Sequence, residues 1–246
     1  MTSSERDSRR VAIVFGGSRG IGAAIVRRLA QDGMDVALTF VSSEARAEGV
    51  VAEAEGLGAR ALAIQADSAD SGAIGAAVEH AQRELGRLDV AVVNAGILRL
   101  GDVSSVSVET LDEMLDVNVR GVFLAIQAAA ARLPAGGRIV TIGSNTAVRS
   151  SHPGSSVYSM TKAAVATMVK GIAIDLAPRG ITINNVQPGP TLTDMTAPHI
   201  DRITPEIPLR RVGEPREIAG LVSYLASAES GYMTGSSLTI DGGMAL

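Results

Sequence analysis

The chain has 246 residues, of which 46% are apolar, and it carries a formal net charge of −4 with a pI near 5.4. This length and apolar content suffice for one sizeable core, so we expect a single domain. The charge gives no general attraction for nucleic acid or for an anionic membrane, and any anionic ligand must be bound locally. Because cysteine is absent and the three histidines are scattered, no disulfide and no metal site is expected.

The first residues are charged, no apolar secretion-type stretch follows them, and no segment approaches the length of a membrane span. We therefore expect a flexible leader over residues 1–10, a domain over 11–246, and a cytoplasmic protein without membrane or nucleic-acid partners.

Short apolar runs alternate with longer helical patterns along the chain. Continuous apolar runs are typical of parallel strands that helices cover on both faces. The pattern predicts an α/β, Rossmann-type doubly wound fold with a seven-stranded parallel sheet. The predicted strands are Val11–Phe15, Val36–Phe40, Ala61–Ala66, Val90–Val93, Arg138–Ile142, Ile181–Val186 and Leu238–Ile240.

A glycine-rich turn follows the first strand and precedes a helical pattern over Ala23–Gln31. Glycines allow the backbone to approach a pyrophosphate, which is then held by free N–H groups at a helix N-terminus. The context predicts a dinucleotide site, and a tight turn without a ligand is the alternative. The residues concerned are Gly16, Ser18, Arg19, Gly20, Ile21 and Gly22.

The end of the second strand bears on which dinucleotide is bound. Enzymes that select NAD commonly place an acid there for the ribose 2′-hydroxyl, whereas this chain has Ser42 and Ser43. With Arg19 in the glycine turn, a 2′-phosphate would meet a cation and hydroxyl donors. NADP(H) is favoured over NAD(H), and a solvated turn residue is the alternative for Arg19.

Polar and small residues follow the next two strands. Asp67 and Ser68 come after the third strand, and Asn94, Ala95 and Gly96 come after the fourth. Both places lie on the edge where the cofactor crevice should run, so we expect adenine and ribose contacts there. Turn initiation is the alternative.

Tyr158 and Lys162 are four residues apart, and Ser144 lies fourteen positions before Tyr158 at the end of an apolar run. On a helix, side chains at i and i+4 share one face. Lys170 is the only other lysine, so the chain rarely uses this residue and places one beside the tyrosine. The trio is suited to proton transfer at a carbonyl group.

These motifs occur in an order that resembles the classical short-chain dehydrogenase/reductase family. The resemblance runs from Val11 to Gly243 and is greatest to the 3-oxoacyl-(acyl-carrier-protein) reductase-like branch. The residues that carry it are Gly16, Gly20, Gly22, Asn94-Ala95-Gly96, Asn118, Ser144, Tyr158, Lys162, Pro188-Gly189 and Thr239-Ile240-Asp241-Gly242-Gly243.

The resemblance implies that Tyr158 is the general acid and that Ser144 orients the substrate carbonyl. Lys162 would bind the nicotinamide ribose and lower the pKa of Tyr158. Asn118 would kink its helix and carry a water-mediated proton path to Lys162, and an exposed helix-surface amide is the alternative. The segment implied to hold the nicotinamide carboxamide contains Pro188, Gly189, Thr191 and Thr193.

The longest irregular stretch, 188–213, contains five prolines and cannot form a continuous helix. Because loops at strand C-termini line ligand clefts, we interpret it as a lid over the substrate, and a surface excursion without a role is the alternative. His152 is expected to be a solvated loop residue rather than a catalyst. The candidate substrate-pocket residues are Ser144, Thr146, Val148, His152, Tyr158, Pro190 and the loop Met195–Arg211.

The chain departs from the family pattern at three points. Phe15 replaces the usual threonine, Val93 replaces the first asparagine of a common motif, and one extra residue lies between Ser144 and Tyr158, which changes the pocket's shape. Carrier-protein reductases often dock their acidic partner with a basic cluster just before the fifth strand. Here only Arg132 lies in that stretch, with Arg179 elsewhere, so a free small carbonyl compound is favoured over a substrate linked to an acidic carrier.

Two helical stretches, Gly121–Ala131 and Ala163–Leu176, are apolar on more than one face and predict self-association. The resemblance implies a homotetramer, and a homodimer is the alternative. The leading hypothesis is an NADPH-dependent carbonyl reductase that, in the reverse direction, acts as a secondary-alcohol dehydrogenase. The alternative is a dinucleotide-binding regulator on the same fold without turnover.

Overall fold

A computed structural model of the chain describes residues 9–150 and 152–246. In that part of the chain, seven strands form one parallel sheet in the order β3-β2-β1-β4-β5-β6-β7. The predicted doubly wound fold is confirmed. The strands are β1 (Val11–Phe15), β2 (Asp35–Phe40), β3 (Ala61–Gln65), β4 (Val90–Val93), β5 (Arg138–Ile142), β6 (Thr182–Pro188) and β7 (Ser237–Ile240).

The helices of the described residues cover both faces of this sheet. One face packs against α1, α2 and α8, and the other packs against α3, α5 and α6. A π-helical segment, Asp116–Gly121, joins α4 to α5. The helices are α1 (Gly20–Gln31), α2 (Glu44–Gly56), α3 (Ser71–Leu85), α4 (Val108–Leu115), α5 (Val122–Ala130), α6 (Ser156–Leu176), α7 (Ile200–Ile203) and α8 (Pro215–Ala226).

Burial on both faces explains why the central strands are continuously apolar. In β1, Val11, Ile13 and Phe15 enter one core, whereas Ala12 and Val14 enter the other. The chain moves outward from β1 to β2 and β3 and then crosses to β4 on the other side. The carboxyl ends of β1 and β4 therefore form the switch point at which such sheets bind ligands.

The observed elements differ from the predicted ones at several ends. Helix α1 begins at Gly20 rather than Ala23, because the glycines of the turn also form its first helical turn. Strand β6 extends to Pro188, since its pairing with β7 continues to Ile240 and the Gly189 N–H makes the last hydrogen bond. Smaller shifts place Asp35 in β2 and Ser237 in β7, while Ala66 lies outside β3 and Ile181 outside β6.

The predicted leader lies mostly outside the described residues. Its last two residues, Arg9 and Arg10, donate hydrogen bonds to the carbonyl oxygens of Gly58 and Ala226. Among the described residues, no helix combines the length and hydropathy needed to cross a membrane.

The stretch after β6 forms a closed excursion, which we call the lid (residues 191–213). A bridge between Thr191 and Gly213 closes its base, where Leu192 N–H donates to the Gly213 carbonyl. Inside the lid, α7 lies between two short 3-10 turns. Its prolines thus interrupt helix formation as the sequence predicts.

Gly121 provides a test of how the π segment packs. A Cβ atom added there would lie 2.1 Å from the Ser68 carbonyl oxygen, so backbone must move. We expect Gly121→Ala to lower the free energy of unfolding by about 1–3 kcal/mol. Gly75→Ala is the matched control, because an added Cβ in α3 has no neighbour within 4 Å and should be neutral or stabilising by up to about 1 kcal/mol. Urea unfolding measures both, and equal effects would contradict the packing.

Candidate active site

The glycine turn is held in place by β2 and by the end of β4. Gly16 N–H donates to the Thr39 hydroxyl at 3.0 Å, and Gly17 N–H donates to the Thr39 carbonyl. The Asn94 side-chain amide donates to the Gly16 carbonyl at 2.7 Å. These bonds fix the turn although Phe15, buried in the core, replaces the usual threonine. Thr39 was not identified from the sequence, since it lies inside an ordinary buried strand.

The backbone of the turn requires glycine at three positions, and glycines leave its surface free of side chains. Gly16 and Gly20 have φ of +74° and +53°, in the left-handed region, and a Cβ on Gly22 would lie 2.1 Å from the Gly16 carbonyl oxygen. Helix α1 begins at Gly20, within the glycine turn, and has no acidic side chain in its first turn. The cradle therefore fits a pyrophosphate.

The end of β2 leads directly into α2 and places hydroxyl and basic groups near the glycine turn. Ser43 is the N-cap residue of α2, but its hydroxyl makes no capping hydrogen bond. Ser42 is exposed, and so is Arg19 on the neighbouring turn. Arg46, in the first turn of α2, was missed by sequence reasoning because it belongs to no motif; it pairs with Asp194 of the lid.

The residues after β3 and β4 have structural partners. Asp67 is exposed, and its carboxylate accepts from the Ala69 N–H at 2.9 Å, which is a turn-initiating contact. The Asn94 side-chain amide donates its hydrogen bond to the glycine turn. Gly96 is the point of closest approach to the polar groups of α6 and the π segment, since an added Cβ would lie 3.3 Å from both Lys162 Nζ and Asn118 Oδ1.

Asn118 is fully buried, so the alternative of an exposed surface amide is wrong. Its Oδ1 accepts from the Ile97 N–H at 2.8 Å, and its Nδ2 donates to the Ile97 carbonyl at 2.8 Å and to the Thr161 hydroxyl at 3.2 Å. The π segment turns this side chain inward. Asn118 thereby ties the loop after β4 to α6 next to Lys162.

Lys162 is buried, with 4% of its surface exposed. Its ammonium donates to the Ile142 carbonyl at 3.1 Å and lies 5.6 Å from the centre of the Tyr158 ring. Burial lowers the pKa of Lys162 to about 8. Because an ammonium has three donors, it can also hold the hydroxyl groups of a bound ribose.

Ser144 precedes a 3-10 turn, and this geometry orients its hydroxyl. The Ser144 oxygen accepts from the Thr146 N–H at 3.2 Å and from the Thr146 hydroxyl at 3.0 Å. Its own hydrogen is therefore directed away from Thr146. Burial raises the pKa of the Tyr158 phenol, and a hydrogen bond with Ser144 opposes that rise. The expected lowering of this pKa by Lys162 is therefore not found, because burial has the largest effect.

Residues that follow the last strand support the segment carrying Ser144. Asn145 is buried, and its amide donates to the Asp241 carboxylate at 3.2 Å. The same carboxylate accepts from the N–H groups of Gly243 and Ala245. The side chain of Arg149 adds bonds to the backbone carbonyls that follow. This support was not predicted, because the two segments are far apart in sequence.

The segment after β6 places its two threonines differently. Thr191 is buried, and its hydroxyl donates to the Gly189 carbonyl at 3.0 Å, so it shapes the chain. Thr193 lies against the glycine turn, since a Cβ on Gly20 would be 3.2 Å from the Thr193 methyl carbon. Gly189 is pressed against Asp241, and Pro188 ends β6.

The remaining predicted pocket residues lie in loops near the lid or at its base. His152 is partly buried, and its Nε2 lies 4.0 Å from a Glu206 carboxylate oxygen of the lid, so it faces the lid. Pro190 lies at the lid's base, where its carbonyl accepts from the Gly213 N–H. Val148 is 61% exposed.

A cavity of about 610 Å³ lies elsewhere, at the opposite edge of the sheet, and its lining includes Arg10 and Arg28. These arginines bond to the Ala226 carbonyl and to the Asp32 carboxylate, which gives them a structural role. The groups suited to chemistry converge instead at the carboxyl ends of the strands.

Comparisons with known proteins agree with this geometry. Residues 16–245 match the family described as enoyl-(acyl carrier protein) reductase. A short-chain dehydrogenase from Burkholderia cenocepacia J2315, solved in complex with NADP, is 47% identical, with 97% of this chain and 98% of that chain covered and a TM-score of 0.94. The chain belongs to the short-chain dehydrogenase/reductase family.

Two curated relatives show how varied this family is. The 3-oxoacyl-(acyl-carrier-protein) reductase FabG of Staphylococcus aureus (strain Mu50) is 38% identical, covering 95% of this chain and 97% of the relative. The cyclic-di-GMP-binding biofilm dispersal mediator protein of Escherichia coli (strain K12) is 39% identical, covering 95% and 96%. The predicted resemblance to the carrier-protein reductase branch is confirmed, and the protein is an oxidoreductase of this family that uses a nicotinamide dinucleotide.

The buried ammonium predicts an unusual pH dependence of stability. The pKa of Lys162 is about 8 in the folded protein and near 10.4 when unfolded. Between these values the unfolded chain binds more protons, so the free energy of unfolding should rise with pH by on the order of 2–3 kcal/mol. Above pH 10 the raised pKa of Tyr158 acts in the opposite direction.

Urea unfolding at pH 7.5 and 9.5, without cofactor, measures this rise. Lys162→Met should reduce it, while Lys170→Met, which removes an exposed lysine of the same helix, should leave it in place. A rise that is unchanged in Lys162→Met would show that another group is responsible.

Proposed function

We propose that the protein is an NADPH-dependent carbonyl reductase that transfers hydride to a ketone and, in reverse, oxidises a secondary alcohol. The observation that carries the proposal is the convergence of Ser144, Tyr158 and Lys162 at the carboxyl edge of the sheet. When bound, NADPH supplies the hydride. The pyrophosphate would be held by the glycine turn and the N-terminus of α1.

The protein's own groups account for the proton. Ser144, oriented by Thr146, donates a hydrogen bond to the carbonyl oxygen of the substrate. Tyr158 transfers its phenolic proton to that oxygen. Because burial raises its pKa, the phenol is protonated at neutral pH, which suits the reductive direction. The Lys162 ammonium stabilises the resulting phenolate, and the positive charge of an oxidised nicotinamide would favour it further.

The groups beside the adenosine end favour the phosphorylated cofactor. Ser42, Ser43 and Arg19 offer donors where an NAD-selective enzyme would carry an acid. The relative from Burkholderia cenocepacia, solved in complex with NADP, supports the same choice.

A free carbonyl compound is the proposed substrate class. Arg132 bonds to Glu79 and Gln82, and Arg179 donates to the carbonyl oxygens of Ala130 and Leu133. The basic groups that would attract an acidic carrier protein are thus already neutralised or used by the fold.

A second candidate is a nucleotide-binding regulator without turnover. The observation in its favour is the 39% identity to the cyclic-di-GMP-binding mediator of Escherichia coli. A protein that only binds a nucleotide has no need for the proton-transfer arrangement at Tyr158, and for this reason we place the reductase first.

The decisive experiment measures oxidation of NADPH and NADH with a panel of ketones, β-ketoesters and diketones. We expect turnover with NADPH and a loss of kcat of about 10²–10⁴-fold in Tyr158→Phe, because the proton donor is removed. Tyr224→Phe, which removes the hydroxyl of a partly exposed tyrosine on α8, is the matched control. Binding of a dinucleotide or of cyclic di-GMP without turnover in any variant would favour the regulator.

We also propose that the protein forms a homotetramer through the exposed apolar face of α5 and α6. Phe123, Met160 and Ile174 are 43%, 47% and 76% exposed there, and an apolar helix face of this kind is usually covered. Light scattering should show a tetramer, and Ile174→Glu should shift it to a smaller species. Val103→Glu, at a loop position that is 85% exposed, should leave the mass unchanged. A monomeric wild type would contradict the proposal.

A further inference from the structure

The lid contacts the adenosine end of the proposed cofactor site through one acidic residue. Asp194 follows Thr193 in the lid, and its carboxylate accepts a hydrogen bond of 2.7 Å from the Arg46 guanidinium at the start of α2. The hydrogen bond from Arg46 lowers the pKa of Asp194, and the charge of Arg19 adds a smaller effect in the same direction. The Asp194 carboxylate is therefore bound by Arg46 and also feels the charge of Arg19.

Arg46 follows Ser42 and Ser43 at the start of α2, and Arg19 lies in the glycine turn, which is bonded to Thr39 of β2. Under the proposed function, on which this inference rests, a 2′-phosphate is bound at that place. A phosphate carries more charge than a carboxylate and forms stronger hydrogen bonds with guanidinium groups. The Arg46–Asp194 pair makes a single hydrogen bond, and 56% and 66% of the two side chains are accessible. Such an exposed pair is weak.

We propose that Asp194 and the 2′-phosphate of NADP(H) compete for Arg46, with Arg19 as a second cation for the phosphate, so that binding of the phosphate detaches the first part of the lid from α2. Arg46 is then a specificity-determining residue for the phosphorylated cofactor. NAD(H) lacks the phosphate and leaves the Arg46–Asp194 pair intact. The lid consequently responds to which dinucleotide is bound.

The balance of charges at this place predicts how each substitution changes the affinity for the phosphate. Two arginines balance one phosphate dianion, and the Asp194 carboxylate adds a negative charge beside it. Removal of that carboxylate should strengthen phosphate binding, whereas removal of Arg46 should weaken it. Neither change should affect a ligand without the 2′-phosphate.

Calorimetric titration with 2′,5′-ADP and with 5′-AMP tests this without any turnover. We expect Asp194→Asn to bind 2′,5′-ADP about threefold more tightly and Arg46→Ala to bind it about tenfold more weakly, with 5′-AMP unchanged in both. Arg132→Ala is the matched control, because it breaks an exposed arginine–acid pair between distant residues elsewhere. The proposal is overturned if Asp194→Asn weakens the binding of 2′,5′-ADP or if Arg46→Ala affects both ligands equally.

Hydrogen exchange of residues 194–203 tests the detachment itself. Saturating 2′,5′-ADP should speed exchange in the wild type and have no effect in Asp194→Asn, while 5′-AMP should change neither. Unchanged or slower exchange in the wild type would refute competition. If the wild type binds 2′,5′-ADP and 5′-AMP equally well, the proposed preference for NADP(H) is also wrong. If Arg46→Ala still prefers 2′,5′-ADP to the same extent as the wild type, only the inference about Arg46 is wrong.

Discussion

The burial of one ammonium group is the constraint on which the site depends. Removing the Lys162 charge from water is costly, and a buried charge is tolerated only where polar groups receive it. The Ile142 carbonyl and the Tyr158 ring lie beside it, and Asn118 Oδ1 and the ammonium both lie close to Gly96. Each comes from a different element, so β5, α6, the π segment and the loop after β4 must be placed together for the charge to be tolerated.

The π segment shows how a helix supplies one of these groups. An ordinary α-helix satisfies its own backbone and offers few polar atoms to the interior. At Asp116–Gly121 the widened turn brings the Asn118 amide inward, where it pairs with both backbone groups of Ile97. Gly121 permits the close approach of the chain after β3 at the same place. Such bulges recur at functional sites because they re-aim a single side chain.

The fold could be predicted from the sequence because each strand is short, apolar and bounded by clear breaks. The glycine turn and the Tyr158–Lys162 pair could be identified because each has a characteristic spacing within a short stretch of chain, and Ser144 could be added because it follows an apolar run at the position that the family resemblance implies. Contacts between segments far apart in the sequence could not be predicted. Nothing in the sequence around Thr39, Arg46 or Asp241 shows that these residues meet Gly16, Asp194 and Asn145. Likewise, the burial of Asn118 depends on a local change from α-helix to π-helix, and the spacing of apolar residues in the sequence does not reveal this change.

The contact between Asp241 and Asn145 makes two parts of the candidate site depend on different regions of the fold. The glycine turn is bonded to β2 and to the end of β4, whereas the segment that carries Ser144 is supported by residues beyond β7. Local damage at the β7 edge of the sheet would therefore disturb the Ser144 segment and leave the contacts of the glycine turn in place. Under the proposed function, such damage would impair the reaction more than the binding of the cofactor.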